Sequence, residues 1–286
     1  MPSILEAARH GFTLAGAAHH DRTVRIDGRD AMGRSNPGRW TECLGGAAWN
    51  VALNLAALDH KPTLHTIHGP DATGFASAAQ KFGLTLEAQE SASPTANYSA
   101  IIDRHGELIL AVADMDVYRE FDANLVPSSS ILVVDANFET GTIEALCKKG
   151  QSVIALAVSA AKAERLLPAL DNIDLLFANI SEVDAMGGLD RLSTKVPLIV
   201  TSDGAASLRV FDKGSESLFH VPPCQVSGDV VGAGDALAAG FLHQWANDRS
   251  VEECATFGIA CAQAILAVDG PARHDLLQAA TALLNR

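Results

Sequence analysis

The sequence predicts an α/β fold with a mainly parallel central sheet, helices on both of its faces, and a small β-sheet that forms a lid. The first observation behind this prediction is a series of short apolar segments separated by helix-like stretches: residues 131–135, 153–157, 174–178 and 198–201. Buried parallel strands have this composition. Alternation of strands and helices along a chain is typical of a parallel sheet that is covered on both sides.

The second observation is helical periodicity on either side of these segments. A helix is expected to begin at Gly45-Gly46, because Ala48, Val51 and Leu55 recur at helical spacing. The remaining predicted helices are residues 71–82, 233–245, 251–267 and 274–284, and the remaining predicted strands of the main sheet are 12–18 and 63–68.

The third observation is a pair of polar, weakly alternating segments, at about residues 22–43 and 96–113. The second segment has the pattern of a hairpin that turns at His105-Gly106. We expect the two segments to pair into one lid over the mouth of a site, within a single domain that spans residues 1–286.

Composition narrows the range of partners and compartments. The formal net charge is −13, which disfavours binding to a phosphate backbone, so no nucleic-acid partner is expected. The five cysteines form no CxxC pair, a pattern that suits a reducing cytoplasm. The first residues lack an apolar run behind basic residues, and no apolar stretch reaches about 20 residues, so neither a signal peptide nor membrane association is expected.

The strongest local signal for chemistry is a glycine-rich turn, Gly232-Ala233-Gly234, followed by an apolar helix with Asp235 in its first turn. The unpaired amides and the positive end of the helix dipole form an anion site. A carboxylate there, kept ionised by the dipole, is placed to accept a proton next to a bound phosphoryl group. The alternative is an ordinary aspartate cap. The sequence lacks the GxxxxGK[ST] motif of a P-loop and has no GxGxxG after the first strand.

Five ordered motifs resemble those of the ribokinase-like (pfkB) carbohydrate and nucleoside kinases. The motifs are Gly16-Ala-Ala-His-His-Asp21, Gly45-Gly-Ala-Ala-Trp-Asn50, Gly69-Pro-Asp-Ala-Thr-Gly74, Asn179-Ile-Ser-Glu182 and Asp229-Val-Val-Gly-Ala-Gly-Asp235. They span most of the chain. Shorter segments are most similar to the pseudouridine kinases within that family: residues 35–38, Tyr98, Asp103 with residues 106–107, residues 114–116 and residues 135–137.

The resemblance implies a ribokinase-like three-layer α/β/α fold and transfer of phosphate from ATP, with Mg²⁺, to a hydroxyl of a small sugar or nucleoside. It implies that Asp235 is the base and that Gly232, Ala233 and Gly234 form the anion hole. The substrate-binding residues it implies are His19, Asp21, Gly45, Gly46, Asn50, Tyr98 and Asp116. The nucleotide-binding residues are Asn179, Thr201 and Gly204, with Glu182 acting on Mg²⁺ through water. Asp229 takes the position of a monovalent-cation site, for which K⁺ is the candidate ion. Lys162 and Asn137 are weaker candidates for contact with phosphate or metal.

Four departures from the family pattern keep a second hypothesis open. His19 replaces an asparagine, and residues 230–231 lack the hydroxyl groups found in the family. Residues 156–157 replace an Asp-Pro pair near the metal. Residues 201–206 depart from the nucleotide loop, because Asp203 and Ala206 replace glycines. Most of these changes concern the nucleotide side. The alternative to an active kinase is therefore a relative that binds a sugar or nucleoside but has lost effective use of ATP. A homodimer formed through the lid is also expected.

Overall fold

The computed structural model describes residues 11–28, 33–105, 107–224, 226 and 231–285. Strands and helices are numbered below in chain order. The strands are β1 (Thr13–Ala15), β2 (His19–Ile26), β3 (Gly38–Gly45), β4 (Thr63–His68), β5 (Thr85–Glu90), β6 (Asn97–Ile102), β7 (Leu108–Asp114), β8 (Ser129–Asp135), β9 (Gly150–Leu156), β10 (Leu175–Asn179), β11 (Leu198–Asp203), β12 (Ser207–Asp212) and β13 (Ser215–His220). The α-helices are α1 (Ala47–Ala57), α2 (Phe75–Phe82), α3 (Thr140–Cys147), α4 (Ala160–Ala163), α5 (Ile180–Ala185), α6 (Leu189–Ser193), α7 (Ala233–Ala246), α8 (Val251–Leu266) and α9 (Leu276–Leu284). Short 3₁₀ segments occupy Asp116–Glu120, Ala123–Leu125 and Glu164–Asn172.

The central sheet has the strand order β13-β12-β11-β10-β9-β8-β1-β4-β5. All pairs from β11 to β5 are parallel, and the two pairs at one edge, β11–β12 and β12–β13, are antiparallel. The predicted mainly parallel sheet is confirmed. The strands β5, β12 and β13 had no counterpart in the sequence-based prediction.

Helices cover both faces of the central sheet, and alternation along the strands divides the core between them. In β8, Ile131 and Val133 join the hydrophobic cluster on one face, whereas Leu132 and Val134 join the cluster on the other. This division follows because successive side chains of a strand point to opposite faces. Both faces are therefore buried, which explains why β8 is apolar without interruption from Ile131 to Val134.

The lid is a second, four-stranded sheet with the order β3-β2-β6-β7. The pair β2–β6 is parallel and the other two pairs are antiparallel. Asp21 pairs in register with Tyr98, and Tyr98 pairs with Ala113. These three neighbours belong to one row on the lid face that looks into the main cavity. The predicted small β-sheet lid is thereby confirmed.

Candidate active site

A cavity of about 640 Å³ lies between the lid and the carboxyl ends of strands in the central sheet. Ligands of open α/β sheets bind in this location, outside the carboxyl ends of the strands. The cavity brings together nine of the residues singled out as site candidates in the sequence: His19, Asp21, Gly46, Asn50, Tyr98, Asn179, Glu182, Gly234 and Asp235.

Asp235 lies in the first turn of α7 and accepts a hydrogen bond through Oδ2 from Nδ2 of Asn50 at 2.7 Å. Asn50 is buried on α1, and no described residue donates to its Oδ1, which remains able to accept a further hydrogen bond. Gly232 precedes the helix with φ of 83°, a backbone conformation that favours glycine, and a side chain there would collide with Pro271. A Cβ at Gly234, in contrast, would meet nothing within 4 Å. There is therefore open space beside the amides at the start of α7.

The electrostatics of Asp235 differ from the expectation based on the helix dipole alone. Burial raises the pKa of Asp235 from 3.8 to about 7. The hydrogen bond from Asn50 opposes this rise, while the carboxylates of Asp135, Asp21 and Glu182 add to it. Desolvation therefore outweighs the hydrogen bond from Asn50, and the carboxyl group can exchange a proton near neutral pH. A proton-transfer group functions best with a pKa close to the working pH.

Asp135 is a fully buried carboxylate that the sequence analysis did not assign to the site. Its Oδ2 accepts from the backbone amides of Ala17 at 2.8 Å and Ala48 at 3.2 Å, and its Oδ1 accepts from the amide of Asn137 at 2.9 Å. Asp135 thus fixes the start of α1 against the end of β1. A buried charge needs such partners. The signal in the sequence is a carboxylate that ends an uninterrupted apolar strand.

The first residues of β2 place a histidine and a carboxylate at the cavity wall. Nδ1 of His19 lies 2.9 Å from Oδ1 of Asp21. The two atoms are not aligned as a hydrogen bond, and no other described residue bonds to either of them. A side chain at Gly45 would overlap Oδ2 of Asp21, and Gly46 has φ of 113° with no room for a Cβ beside the carbonyl of Ala17. The glycine pair therefore allows α1 and the Asp21 carboxylate to pack in contact.

Asn179 and Glu182 form a capping box at the start of α5. The Glu182 carboxylate accepts from the Asn179 amide and from Asn179 Nδ2, both at 2.8 Å, and the Glu182 amide donates to Asn179 Oδ1 at 3.0 Å. Burial raises the pKa of Glu182, and the bonds from Asn179 lower it. Both residues line the cavity, and each carboxylate oxygen retains capacity for one further hydrogen bond.

Lys162 and Asn137 meet at the carboxyl ends of β8 and β9. The ammonium group of Lys162 donates to Oδ1 of Asn137 at 2.6 Å, and both residues line the cavity. Burial lowers the pKa of Lys162, whereas Asp135 and Asp21 act to raise it.

Other candidate residues lie away from this cavity wall. Thr201 is buried on β11 outside the lining, where the neighbouring Ser202 takes its place. Gly204 lies in the exposed β11–β12 turn. The side chain of Asp116 is 79% exposed and forms an ion pair with Arg119, while Met115 lines the cavity. The remaining glycine-turn and glycine-pair candidates, Gly232, Ala233 and Gly45, shape the backbone next to lining residues. Asp229 lies outside the described residues.

Comparison with known proteins identifies the family. The family model of the pfkB carbohydrate kinases matches residues 20–276. The chain belongs to this family. It is a sugar or nucleoside kinase of the ribokinase-like class, as the ordered motifs predicted.

Three relatives illustrate the range of the pfkB family around this chain. Pseudouridine kinase of Escherichia coli is 24% identical over 269 residues, covering 85% of this chain and 86% of that protein. The solved structure of a carbohydrate kinase from Agrobacterium tumefaciens is 32% identical, with a TM-score of 0.82 and 96% of each chain covered. Arabidopsis thaliana ribokinase, solved with ribose and ATP, is 19% identical, with a TM-score of 0.78 over 94% of this chain and 98% of that one. The last likeness concerns the fold alone.

Proposed function

We propose that this protein transfers the γ-phosphoryl group of ATP to a primary hydroxyl of a sugar or nucleoside, with Asp235 as the base. The observation that supports this proposal most strongly is the position of Asp235. Its carboxylate has a pKa of about 7 and lies at the start of α7, in the same cavity as Asp21 and beside the open space at Gly234.

In the proposed reaction, the acceptor oxygen bonds to the γ-phosphorus while the bond to the β–γ bridging oxygen breaks, and ADP leaves with that electron pair. Asp235 accepts the hydroxyl proton. Amides of Gly232, Ala233 and Gly234 neutralise charge on the transferred group, because donors fixed at a helix start need no reorganisation during the reaction. Asn50 holds Asp235 through Nδ2 and offers Oδ1 to a substrate hydroxyl.

The acceptor binds beneath the lid in this proposal. Asp21 and His19 contact its hydroxyls, Tyr98 packs against it from β6, and Gly45 and Gly46 let the backbone approach it. We propose pseudouridine as the first substrate to test, because the pseudouridine kinase of Escherichia coli matches over most of both chains. Asp116, whose side chain is exposed to solvent, contacts the acceptor only if the lid moves.

The nucleotide binds on the side of β10 and β11. Asn179 and Glu182 lie at the end of β10, and Ser202 rather than Thr201 faces the cavity on β11. Gly204 lies in the turn beyond it. The open space at Gly234 fits a phosphate group, since a Cβ there would meet nothing within 4 Å.

A magnesium ion fits this site as a partner of the nucleotide. No group of three His, Cys, Asp or Glu side chains that could hold a metal occurs in the described part of the chain. Mg²⁺ in kinases is held by one or two carboxylates, water and the substrate phosphates, so no protein cage is needed. Glu182 is the residue that would orient it through water, and the ion would neutralise phosphate charge. Activation by K⁺ at Asp229 stays a prediction.

The test is ADP release from ATP and Mg²⁺ against pseudouridine, uridine, adenosine, inosine, ribose and fructose. Turnover on at least one compound is expected, and the most active compound identifies the substrate class. No turnover on any of them, with sugar or nucleoside binding still seen by calorimetry, would contradict the proposal and favour a binding protein that has lost its use of ATP.

We also propose a homodimer formed through the outer face of the lid. The register aligns Trp40, Val24, Ile101 and Leu110 across all four strands, on the face opposite Asp21 and Tyr98. Trp40 is 65% exposed and Leu110 is 54% exposed. An exposed apolar patch of this kind marks an interaction site, and a second copy offers a matching sheet face. Light scattering at micromolar concentration should give a dimer that Leu110→Glu dissociates, whereas a wild-type monomer would refute this proposal.

No helix in the described ranges is long and apolar enough to cross a bilayer.

A further inference from the structure

The corner of the cavity between β8 and β9 holds a pair of hydrogen-bond donors that the proposed mechanism does not yet use. Lys162 lies on α4, directly after β9, and Asn137 follows β8. Among the described residues that line the cavity, Lys162 is the only lysine or arginine. Its ammonium group donates to Oδ1 of Asn137 at 2.6 Å and has further protons to donate.

Asn137 is arranged so that its side-chain amide group remains available. Its Oδ1 is taken by Lys162, its backbone N–H donates to Asp135, and its carbonyl accepts from Arg165 at 2.8 Å. Its Nδ2 is buried, and none of the residues that the structure describes accepts a bond from it. Asn137 itself is only 3% exposed and lines the cavity. A buried donor without a partner is costly, so this corner favours a ligand that carries acceptor oxygens.

The charges of the cavity indicate which ligand this is. The carboxylates of Asp21, Glu182 and Asp235 line the same space, and buried Asp135 adjoins it. These carboxylates repel an entering polyphosphate, and the net charge of −13 adds to the repulsion. A fixed cation that touches the phosphate offsets this repulsion in addition to the amides at the start of α7.

The order of strands places the corner between the two halves of the site. Asp21 follows β1, Asn179 and Glu182 follow β10, and the strands β8 and β9 lie between β1 and β10 in the sheet. The acceptor half and the nucleotide half of the site therefore lie on either side of this corner. We propose that Lys162 and Asn137 bind the γ-phosphoryl group of the nucleotide during its transfer, an inference that rests on the proposed kinase function.

In this step the side chains donate hydrogen bonds to non-bridging oxygens of the γ-phosphoryl group. Lys162 keeps its protons, and the hydroxyl proton goes to Asp235. With the proton on Asp235 and ADP as the leaving group, the step is complete and needs no further reactant. Hydrogen bonds between a cation and phosphate are short and strong, so losing the ammonium group should weaken a γ-phosphate contact by about 10- to 100-fold.

The experiment compares binding of two nucleotides rather than activity. Calorimetry with Mg²⁺ measures the Kd of AMP-PCP, which has a γ-phosphoryl group, and of ADP, which lacks one. Lys162→Met should weaken AMP-PCP binding by about tenfold or more while changing ADP binding less than threefold. Lys162→Arg should recover most of the affinity. The matched control is Lys149→Met, which removes a half-buried lysine that donates to the carbonyl of Val126 outside the cavity.

The outcomes separate this inference from the kinase proposal. Wild-type protein that binds neither nucleotide would overturn both. Wild-type protein that binds both, with Lys162→Met unchanged or equally weakened for AMP-PCP and ADP, would overturn only the assignment of Lys162. A thermal melt verifies that each variant is folded, and Lys162→Gln replaces Lys162→Met if the methionine variant does not fold.

Discussion

The hydrogen bond from Asn50 lowers the pKa of Asp235, and replacing Asn50 should shift the pH dependence of the enzyme in a predictable way. The Asn50 side chain gives Asp235 its one hydrogen bond within the described chain, at 2.7 Å, and this bond lowers the pKa of a carboxyl group that burial raises to about 7. Asn50→Ala removes the bond without adding a charge. The pKa of Asp235 should then rise further.

The size of the shift follows from the type of bond. A hydrogen bond to a charged group contributes about 1.5–3 kcal/mol, which corresponds to roughly 1–2 pH units. Starting from a pKa of about 7, the ionised fraction at pH 7 falls from about one half to between about one tenth and one hundredth. The activity at pH 7 should fall about 5- to 50-fold for this reason alone, and it should recover at higher pH.

The assay is kcat/KM for the best acceptor between pH 5.5 and 9.5, since that ratio reports the ionisation of the free enzyme. Activity of the wild type should rise with pH through about 7, because the base must be ionised, and the midpoint for Asn50→Ala should lie about 1–2 units higher. A loss of kcat/KM that is the same at every pH, with an unmoved midpoint, would contradict an effect of Asn50 on the pKa of Asp235. Asn50 would then act only through contact with the substrate.

Three further predictions follow from neighbouring features. Asp235→Asn should raise Tm at pH 8.5 by about 2 °C or more and by less at pH 5.5, because a carboxyl group with a raised pKa destabilises the fold as pH rises. A variant that is no more stable than the wild type at either pH would contradict the burial of a costly charge. Gly45→Ala should displace Asp21 and raise KM for the acceptor at least tenfold with nucleotide affinity unchanged. Gly141→Ala, where a side chain enters open space, should leave KM unchanged. Equal effects of the two substitutions would contradict a contact between Asp21 and the acceptor. Burial and the neighbouring His243 lower the pKa of His60 to about 4, so the free energy of unfolding measured with urea should fall from pH 6.5 to pH 4 by on the order of 1–3 kcal/mol. His60→Gln should reduce this dependence on pH. The same dependence in the variant and the wild type would contradict the role of His60.

The sequence predicts the interior of the fold better than its edges. The strands β8 and β10 are buried on both faces, so their apolar residues mark them directly. The strand β5 lies at the sheet edge with mostly exposed residues, including Glu87 and Glu90, and gives no apolar signal. The strand β13 forms the other edge and is likewise mostly exposed, whereas β12 beside it buries Leu208 and Val210. Edge strands bury few side chains, so their sequences are constrained less by packing.

The motifs place Asp235, Asn50 and Asp21 in one cavity, although 185 residues separate the first two. Details that depend on register are harder to predict, because a shift of one residue reverses the face of a side chain. Ser202 thus lines the cavity instead of Thr201, and Met115 lines it instead of Asp116. The pKa of Asp235 depends on the burial of the whole site, which no local pattern contains.

Asp135 could not be assigned to the site from the sequence, because the amides of Ala17 and Ala48 that bind its carboxylate are distant along the chain. Asp135 acts on α1 and on the backbone of Ala17 through distant amides, which are visible only once the strands are packed. Its charge then raises the pKa of Asp235 from a position beneath the cavity. Asp135 thereby adds to the effect of burial on the proton affinity of the proposed base.

The most direct test of the central claim is the initial rate of ADP release with saturating pseudouridine, measured for wild type and Asp235→Asn side by side at pH 8. Calorimetry on the same samples establishes that both proteins bind the nucleoside. We expect turnover by the wild type and a fall in kcat of about 10²–10⁴-fold in the variant, the usual contribution of a positioned base. A wild type that turns over while Asp235→Asn retains more than one tenth of its rate would contradict the role of Asp235.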